Sequence, residues 1–367
     1  MQDFRALSYA DPATDTRADD GDTVYAHERS ADRFVPLRVK RVIGETRDAI
    51  SIVLDVPEQS AHQFRYRAGQ FLTLLVCIDG QEYQRCYSMS SSPAAGEDLR
   101  ITVKRDRDGV VSNWLNDTAA PGHTLHAAPP RGRFVLSDTD RPLIAFAGGS
   151  GITPVFSLLR SALASTTRDA RLFYANRTRD SVIFDAALAS LQEQHPGRFT
   201  LRHHLDEDSG MVTAAQVQSF IAQDQDADFY VCGPGPFMDT VEATLRTAGT
   251  PAERVHLERF QAAATPLVVT AEAGAEVTEE VTIELDRRTT TAAYTPGETL
   301  LQTARMAGLS PPSSCEVGSC GTCMARLTEG CARMINNDAL DDDEVDEGWV
   351  LTCQALPTSS RVRVVYE

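Results

Sequence analysis

Four cysteines near the C-terminus carry the strongest chemical signal in the chain. Residues 315–323 read CEVGSCGTC, and Cys353 follows thirty positions after Cys323. The spacing C-x4-C-x2-C…C is that of a plant-type [2Fe–2S] cluster, whose four thiolates, two per iron, complete a tetrahedral sulfur environment. Cys315, Cys320, Cys323 and Cys353 are therefore the expected metal ligands. Gly318 and Gly321 let such a loop fold around a cluster and aim backbone N–H groups at its sulfurs. The competing reading is structural zinc, which favours paired C-x2-C knuckles, and here there is one such pair. Cys331 falls outside the spacing and is expected not to be a ligand, while Cys77, Cys86 and Cys232 are scattered.

A second constellation lies at 85–91, RCYSMSS. Arg85 can grip a pyrophosphate in bidentate fashion. Tyr87, beyond Cys86, offers a flat face to an isoalloxazine ring, and the Ser88 hydroxyl can bond the flavin N5 that accepts hydride. Downstream, Thr102-Val103-Lys104 and Gly109-Val110-Val111-Ser112 can set N–H groups and a hydroxyl at the start of a short helix, an anion site. The plain alternative is a polar strand end.

A third is AGGSGITP at 147–154, lying between a continuous apolar strand and an apolar helix. Gly149, Ser150 and Gly151 let the backbone approach a dinucleotide pyrophosphate, and the helix N-terminus favours its charge. The motif is not GxGxxG, so a tight strand-to-helix turn is the alternative. Cys232-Gly233-Pro234 ends a later strand, where open α/β sheets bind ligands; a buried free cysteine is the plainer reading of Cys232. Glu258 and Phe260 close the last strand of that region. Phe260 can cover a flavin where a nicotinamide enters and Glu258 can polarise the site, although from local sequence alone core packing is the better reading of Phe260.

These residues need three frameworks. From 35 to 138, short alternating strands separated by turns predict an antiparallel β-barrel, interrupted by a short helix around 112–115. From 139 to 261, strands alternate with helices, the rhythm of an α/β parallel-sheet domain. Residues 262–278, rich in Ala and Glu, read as a linker, and 279–367 as a small α+β domain with strands near 281–285, 290–294 and 361–366. Residues 1–34, acidic and without apolar periodicity, read as a disordered tail.

The 42% hydrophobic content supplies a core to each domain. No apolar run reaches the roughly 18 residues of a membrane helix. The N-terminus lacks the pattern of a secretory signal, so a cytoplasmic location is expected. The net charge of −17 argues against nucleic acid as a partner. It suits either solubility or a partner protein with a basic docking patch. The run 341–347 (DDDEVDE) is a candidate docking face or a solvent-facing helix.

With these motifs in this order, the chain resembles the ferredoxin–NADP reductase superfamily. The fused C-terminal cysteine motif makes it similar to reductase components of multicomponent oxygenases, such as 3-ketosteroid 9α-hydroxylase reductases and phenylacetyl-CoA epoxidase reductases. Shared stretches include YRAGQFL at 66–72, RCYSMSSSP at 85–93, SNWL at 112–115, GSGITP at 149–154, YANR at 174–177, CGPGPFM at 232–238 and VLTCQ at 350–354. The resemblance implies a β-grasp ferredoxin domain after the two nucleotide domains. It implies that Arg85, Tyr87, Ser88, Lys104, Gly109 and Ser112 bind FAD, and that Thr153, Cys232 and Glu258 line the nicotinamide pocket, with Phe260 in place of the family's ring-stacking aromatic. Electrons would pass from NADH or NADPH to FAD, then to the [2Fe–2S] cluster, and on to a terminal oxygenase of Rieske or di-iron type. Arg177, with Arg179 just after the second parallel strand, is where a 2′-phosphate can be read, yet family members using either coenzyme carry Asn-Arg here. A monomer is expected. The rival readings are a redox-responsive iron–sulfur flavoprotein and a stand-alone flavin or ferredoxin-type reductase.

Overall fold

Strand β1 (Val35–Thr46) turns back into β2 (Ala49–Asp55). Strands β3 (Phe71–Ile78) and β4 (Gln81–Ser88) are joined at Asp79-Gly80, both at positive φ (52° and 80°). A two-residue hairpin requires such a turn to follow the strand twist. After β5 (Arg100–Lys104), helix α1 (Val110–Thr118) and β6 (Thr124–Ala127), the sheet order is β4-β3-β6-β1-β2-β5. Its two edges meet: Met89 bridges Ile101, and Ser90 N–H donates to Arg100 O at 2.8 Å. The antiparallel sheet thus closes into a barrel, with Leu37, Ile52, Leu54, Leu72, Leu74 and Val103 filling it and α1 lodging Val111 and Leu115 against them. Strand β4 stops at Ser88, because Met89 turns to the far edge. One expectation shifts: α1 runs nine residues rather than the four predicted around 112–115.

Next come β7 (Leu143–Gly148), α2 (Ile152–Ser165), β8 (Ala170–Asn176), α3 (Asp185–Gln194), β9 (Phe199–Leu205), the one-turn α4 (Asp206–Ser209), α5 (Ala214–Ile221), β10 (Asp228–Cys232), α6 (Gly235–Thr247) and β11 (Val255–Glu258). The sheet is parallel, in the order β11-β10-β7-β8-β9. Along β7, Ala145 and Ala147 join the core under α2 and α3, whereas Ile144 and Phe146 join the core under α5 and α6. A strand buried on both faces reads as a continuous apolar run, as this one does. The order reverses between β7 and β10, so their carboxyl ends form the crevice in which such sheets bind ligands.

The last domain holds β12 (Glu280–Leu285), β13 (Arg288–Ala293), α7 (Leu300–Met306), β14 (Met324–Glu329), β15 (Ala332–Met334), α8 (Asp342–Asp346), β16 (Trp349–Leu351), β17 (Ala355–Pro357) and β18 (Arg361–Val365). Its main sheet runs β13-β12-β18-β14-β16 with the central pair parallel, and α7 packs Leu300 and Ala304 against it: a β-grasp. The computed structural model describes residues 34–222, 226–260, 278–309, 311–313, 316, 318, 320–337 and 339–366. Apart from Phe34 and Thr278, which are buried, the predicted tail (1–34) and linker (262–278) lie outside the described residues, as does Cys315. The described residues belong to one compact unit.

The barrel lobe sits on α2. Ser157 Oγ donates to Ser91 O at 2.5 Å, Ser161 Oγ and Ser92 Oγ lie 2.7 Å apart, and Arg160 pairs with Glu97. Behind the seam, Arg168 and Asp228, side chains 1% and 2% exposed, pair at 2.8 Å, and Asp228 also accepts from the Ser137 and Thr139 hydroxyls. Burial pushes the Asp228 carboxyl up, but those hydroxyls together with Arg168 and Arg141 outweigh it and hold it below its usual range. Asp228→Ala strands a buried guanidinium and is expected to destabilise the chain by about 3–5 kcal/mol in chemical denaturation. Because the folded carboxyl is the stronger acid, its contribution is present at neutral pH and falls away as the pH drops below about 3.9, the unfolded value. The Asp228→Asn variant should lose that acid-side dependence.

Candidate functional site

The mouth of the barrel gathers the second constellation. Ser88 ends β4 opposite Phe71, is buried, and its hydroxyl makes no hydrogen bond among the described residues. Tyr87 pairs with Leu72 and packs its ring on the barrel core, and burial raises its phenol well above the usual range. Cys86 lies across from Thr73, whose Oγ1 is 3.4 Å from its Sγ. Arg85 is exposed and folds back on its own strand, donating to Gln84 O at 2.8 Å. Gly109 is the N-cap of α1 with no side-chain cap, which leaves the first N–H groups, at Val110 and Val111, to other partners. A Cβ on Gly109 would fall 2.2 Å from Ser112 Oγ, a hydroxyl that donates to Gly109 O and accepts from Asp106 N–H. Two consecutive residues of β5 are buried on its opposite faces. Val103 packs in the barrel core, and the Thr102 hydroxyl sits in a buried chain, 2.7 Å from both Ser51 and Ser90. A free hydroxyl, an uncapped helix start and a half-buried ring are features that a flavin dinucleotide can use.

The glycine loops meet at the switch point. A Cβ on Gly151 would lie 2.1 Å from Cys232 O and 2.7 Å from Gly233 N; one on Gly233 would lie 3.0 Å from Gly148 Cα. Only glycine allows these two backbones to touch. Gly149 takes φ 53°, and its carbonyl accepts from the buried Tyr174 hydroxyl at 3.1 Å. Thr153, in the first turn of α2, donates to Ser150 O at 3.0 Å. Ala147, Cys232 and Glu258 are lateral neighbours on β7, β10 and β11, with Cys232 fully buried and Glu258 nearly so. Burial pushes the Cys232 thiol well above its usual range, and the Glu258 carboxylate adds to the rise. Pro234 opens α6, and Phe260 is exposed just beyond β11. Lys104 reaches this corner from the barrel: its Nζ is 3.9 Å from where a Cβ on Gly149 would sit, and 3.8 Å from Asp48. Arg177, farther along the sheet beyond β8, is exposed and makes no ion pair among the described residues, whereas Arg179 is tied to Asp185 at 2.8 Å.

Cys320, Cys323 and Cys353 are all buried, the last two in one small cluster with Leu301, Leu340 and Leu351. Thr352 N–H and Oγ1 both donate to Cys323 O, at 3.2 and 2.8 Å, which ties the two ligand segments together. Thr322 N–H donates to Cys320 Sγ at 3.5 Å, the kind of bond that steadies a coordinated thiolate. Glu316 and Gly318 take φ of 56° and 85°. Arg305 grips the Glu316 carboxylate with Nη1 and Nη2, at 3.2 and 2.6 Å, and Gln354 Nε2 donates to Glu316 O at 2.8 Å. Buried thiols on a loop held in left-handed backbone, with an N–H aimed at sulfur, fit an iron–sulfur cluster. The fourth expected ligand, Cys315, lies outside the described residues.

Sequence reasoning missed several residues that shape the site. Ser91, Ser92, Ser157 and Ser161 build the seam, Tyr174 holds Gly149, and Arg305 clamps the cysteine loop. Tyr174 and Ser91 stood inside shared stretches, the one available signal; Arg305 had none.

Two outcomes test this geometry. A Cβ on Gly318 would lie 2.7 Å from Asn336 O in a left-handed backbone. Gly318→Ala is therefore expected to cut iron content and visible cluster absorbance by more than half while bound flavin is retained. Iodoacetamide at pH 8–9 should label the exposed Cys77 and Cys331 within minutes and leave Cys232 unlabelled, because a raised thiol pKa keeps it protonated as the pH rises through about 8.5.

Comparisons with known proteins agree with this layout. Residues 36–136 match the oxidoreductase FAD-binding domain, 145–243 the oxidoreductase NAD-binding domain and 283–358 the 2Fe-2S iron-sulfur cluster binding domain. The chain is 40% identical over 342 residues to the ferredoxin reductase component of 3-ketosteroid-9-alpha-monooxygenase from Rhodococcus rhodochrous, covering 91% of this chain and 97% of that one. It is 33% identical to one of the subunits of 1,2-phenylacetyl-CoA epoxidase from Escherichia coli, over 91% and 98% of the two chains. Phthalate dioxygenase reductase, a modular structure for electron transfer from pyridine nucleotides to [2Fe-2S], superposes with a TM-score of 0.61 at 26% identity, over 92% and 99%. The chain belongs to the ferredoxin–NADP reductase-like family of oxygenase reductase components that carry FAD-, NAD- and [2Fe–2S]-binding domains in one polypeptide.

Proposed function

We propose that this chain supplies electrons from NADH or NADPH to a terminal oxygenase of Rieske or di-iron type. Ser88, Cys232 and Glu258 stand at the reacting centre, and Cys315, Cys320, Cys323 and Cys353 hold the outgoing cluster. Bound there, FAD would supply a hydride acceptor and the cluster a one-electron carrier. The observation that carries the reading is the approach of Lys104 to Gly149, through which the barrel's candidate flavin residues and the glycine loops border one cleft.

Each side chain has a task in this scheme. The Ser88 hydroxyl, without a partner among the described residues, would bond the flavin edge, and Tyr87 would offer its face to the ring. The start of α1, from Gly109 to Ser112, and the Arg85 guanidinium take the pyrophosphate of FAD; Lys104 adds positive charge between the two dinucleotides. Val103 from the barrel core and Thr102 from the other face keep β5 in register, and Cys86 backs the neighbouring β4. The loop of Gly149, Ser150 and Gly151, with Gly233 and Pro234 against it, receives the nicotinamide dinucleotide. Cys232 stays a neutral thiol, Glu258 supplies a carboxylate beside it, and Thr153 fixes the loop. Phe260 covers the ring position that the nicotinamide must enter. Arg177, exposed and without an ion pair among the described residues, is the cation available to a 2′-phosphate. No helix among the described residues is long and apolar enough to cross a membrane.

Anaerobic titration with NADH and NADPH, followed by visible absorbance and electron paramagnetic resonance, tests the relay. Bleaching of the flavin band together with a rhombic signal from a reduced [2Fe–2S] centre is expected, and the faster nucleotide identifies the coenzyme. Bleaching without the cluster signal would leave a stand-alone flavin reductase. No bleaching with either nucleotide would remove the proposal.

A further inference from the structure

The segment after β6 leads from the barrel toward the cysteine loop, and it carries two arginines without a role so far. Arg131 joins Phe71 by two backbone bonds: Phe71 N–H donates to Arg131 O at 2.8 Å, and Arg131 N–H to Phe71 O at 3.0 Å. Phe71 in turn lies opposite Ser88 in the β3–β4 ladder. Ser88, Phe71 and Arg131 are thus successive neighbours across one sheet, and the Arg131 backbone stands about 10 Å, two strand spacings, from that of Ser88. The Arg131 side chain reaches away from the barrel. Its Nη1 lies 3.4 Å from where a Cβ on Gly321 would be, against the loop between Cys320 and Cys323.

Two residues on, Arg133 Nη1 donates to Leu340 O at 2.9 Å. Asn337 fixes Leu340 from its own side: Nδ2 donates to the same carbonyl at 3.0 Å, and Oδ1 accepts Leu340 N–H at 2.9 Å. The Leu340 side chain is fully buried beside Cys323 and Cys353. Six of the next seven residues, 341–347, are acidic, so the ferredoxin surface around this carbonyl complements both guanidinium groups. Arg131 therefore touches the cysteine loop while its backbone stays tied to Phe71, opposite Ser88, and Arg133, two residues on, holds the Leu340 carbonyl beside Cys323 and Cys353.

We propose that Arg131 and Arg133 are positioning residues for the step between flavin and cluster: they seat the ferredoxin domain on the barrel by its cysteine loop, with that loop turned to the Ser88 edge. The proposal rests on the functional reading above, in which that edge meets the flavin. The step moves one electron and makes or breaks no bond, so the arginines act on how often and how closely the two groups face each other.

The test uses the full-length holoprotein, unaltered and as the R131Q/R133Q double variant, with R131K/R133K as the conservative control. Hydrogen exchange reads the seat without turnover. Amides in 320–323 and 337–341 should exchange at least about tenfold faster in the glutamine variant, while β12 and β18 keep their protection. In anaerobic stopped flow with the faster nucleotide, flavin bleaching should stay within twofold and cluster reduction should slow at least tenfold. The dithionite-reduced resonance spectrum should be unchanged, and the lysine variant should recover most of the rate. Unchanged exchange together with cluster reduction within twofold would overturn the proposal. If neither nucleotide bleaches the unaltered protein, the functional reading falls and the exchange arm alone decides whether the seat exists. Should the double variant lose iron, the single R133Q variant carries the same comparison.

Discussion

Helix α2 is buried on two sides at once. One side packs Val155, Leu159 and Ala162 against the parallel sheet, in the core that also takes in Ala68 and Phe134 from the barrel lobe. The other presents Ser157 and Ser161, whose hydroxyls meet the 91–92 segment at hydrogen-bond distance. Small hydroxyl side chains let two backbones come close, and the bonds between them keep the seam from leaving buried polar groups unpaired. The first turn of the same helix begins at Gly151, pressed against the Cys232 carbonyl. One rigid rod therefore fixes both the glycine loop and the barrel mouth, and the cleft between them inherits its dimensions from α2.

Charge completes that frame. The buried Arg168–Asp228 pair fastens the segment after the barrel to β10, and Arg168 also donates to Arg141 O and Ser137 O at 2.5 and 3.1 Å. A buried ion pair gains its standing from such extra hydrogen bonds, because attraction alone does not offset desolvation. At the molecular surface, by contrast, the acidic run at 341–347 is capped and orderly: Asp341 accepts from Glu344 N–H, and Glu344 accepts from Asp341 N–H, so α8 is a short self-capped helix with its acidic side chains largely in solvent. The helix is solvent-facing and follows directly on the carbonyl that Arg133 holds.

The features legible in the sequence were those written in local spacing. The C-x4-C-x2-C pattern, the glycine run after an apolar strand and the alternation of strand and helix each lie within a short window, and each reports a backbone requirement. Gly151 and Gly233 are glycine because a Cβ would collide with another chain segment, and that necessity shows in the sequence even though the partner does not. What stayed hidden depends on distant partners. Ser92 with Ser161, Arg133 with Leu340 and Arg168 with Asp228 are separated by 69, 207 and 60 positions, so no local period encodes them. Thr102 shows the converse. It stands where a ligand-facing residue was expected, yet the closing of the barrel brings Ser51 and Ser90 to its hydroxyl. The length of α1 was underread for a similar reason. Asn116 Nδ2 reaches back to Val103 O, at 3.2 Å, so the barrel wall helps to hold the helix's last turn, which local sequence does not show.

The two seams of the molecule differ in kind, and the difference follows from the two transfers they serve. Hydride moves as an atom, so donor and acceptor must sit within about 3–3.5 Å in a near-attack geometry. A seam that carries such a step has to be dry and unyielding, as α2 makes it with interlocked backbones and shared core. Single electrons do not need atoms in contact. The ferredoxin side can therefore be held by a polar touch, an arginine on a carbonyl at Leu340, over surface that stays acidic and hydrated. Interfaces of that polar kind within one chain allow relative domain motion as the ordinary case. A rigid seam at the hydride step and a separable one at the electron step let a single polypeptide close tightly around one reaction and still present its last carrier to another protein.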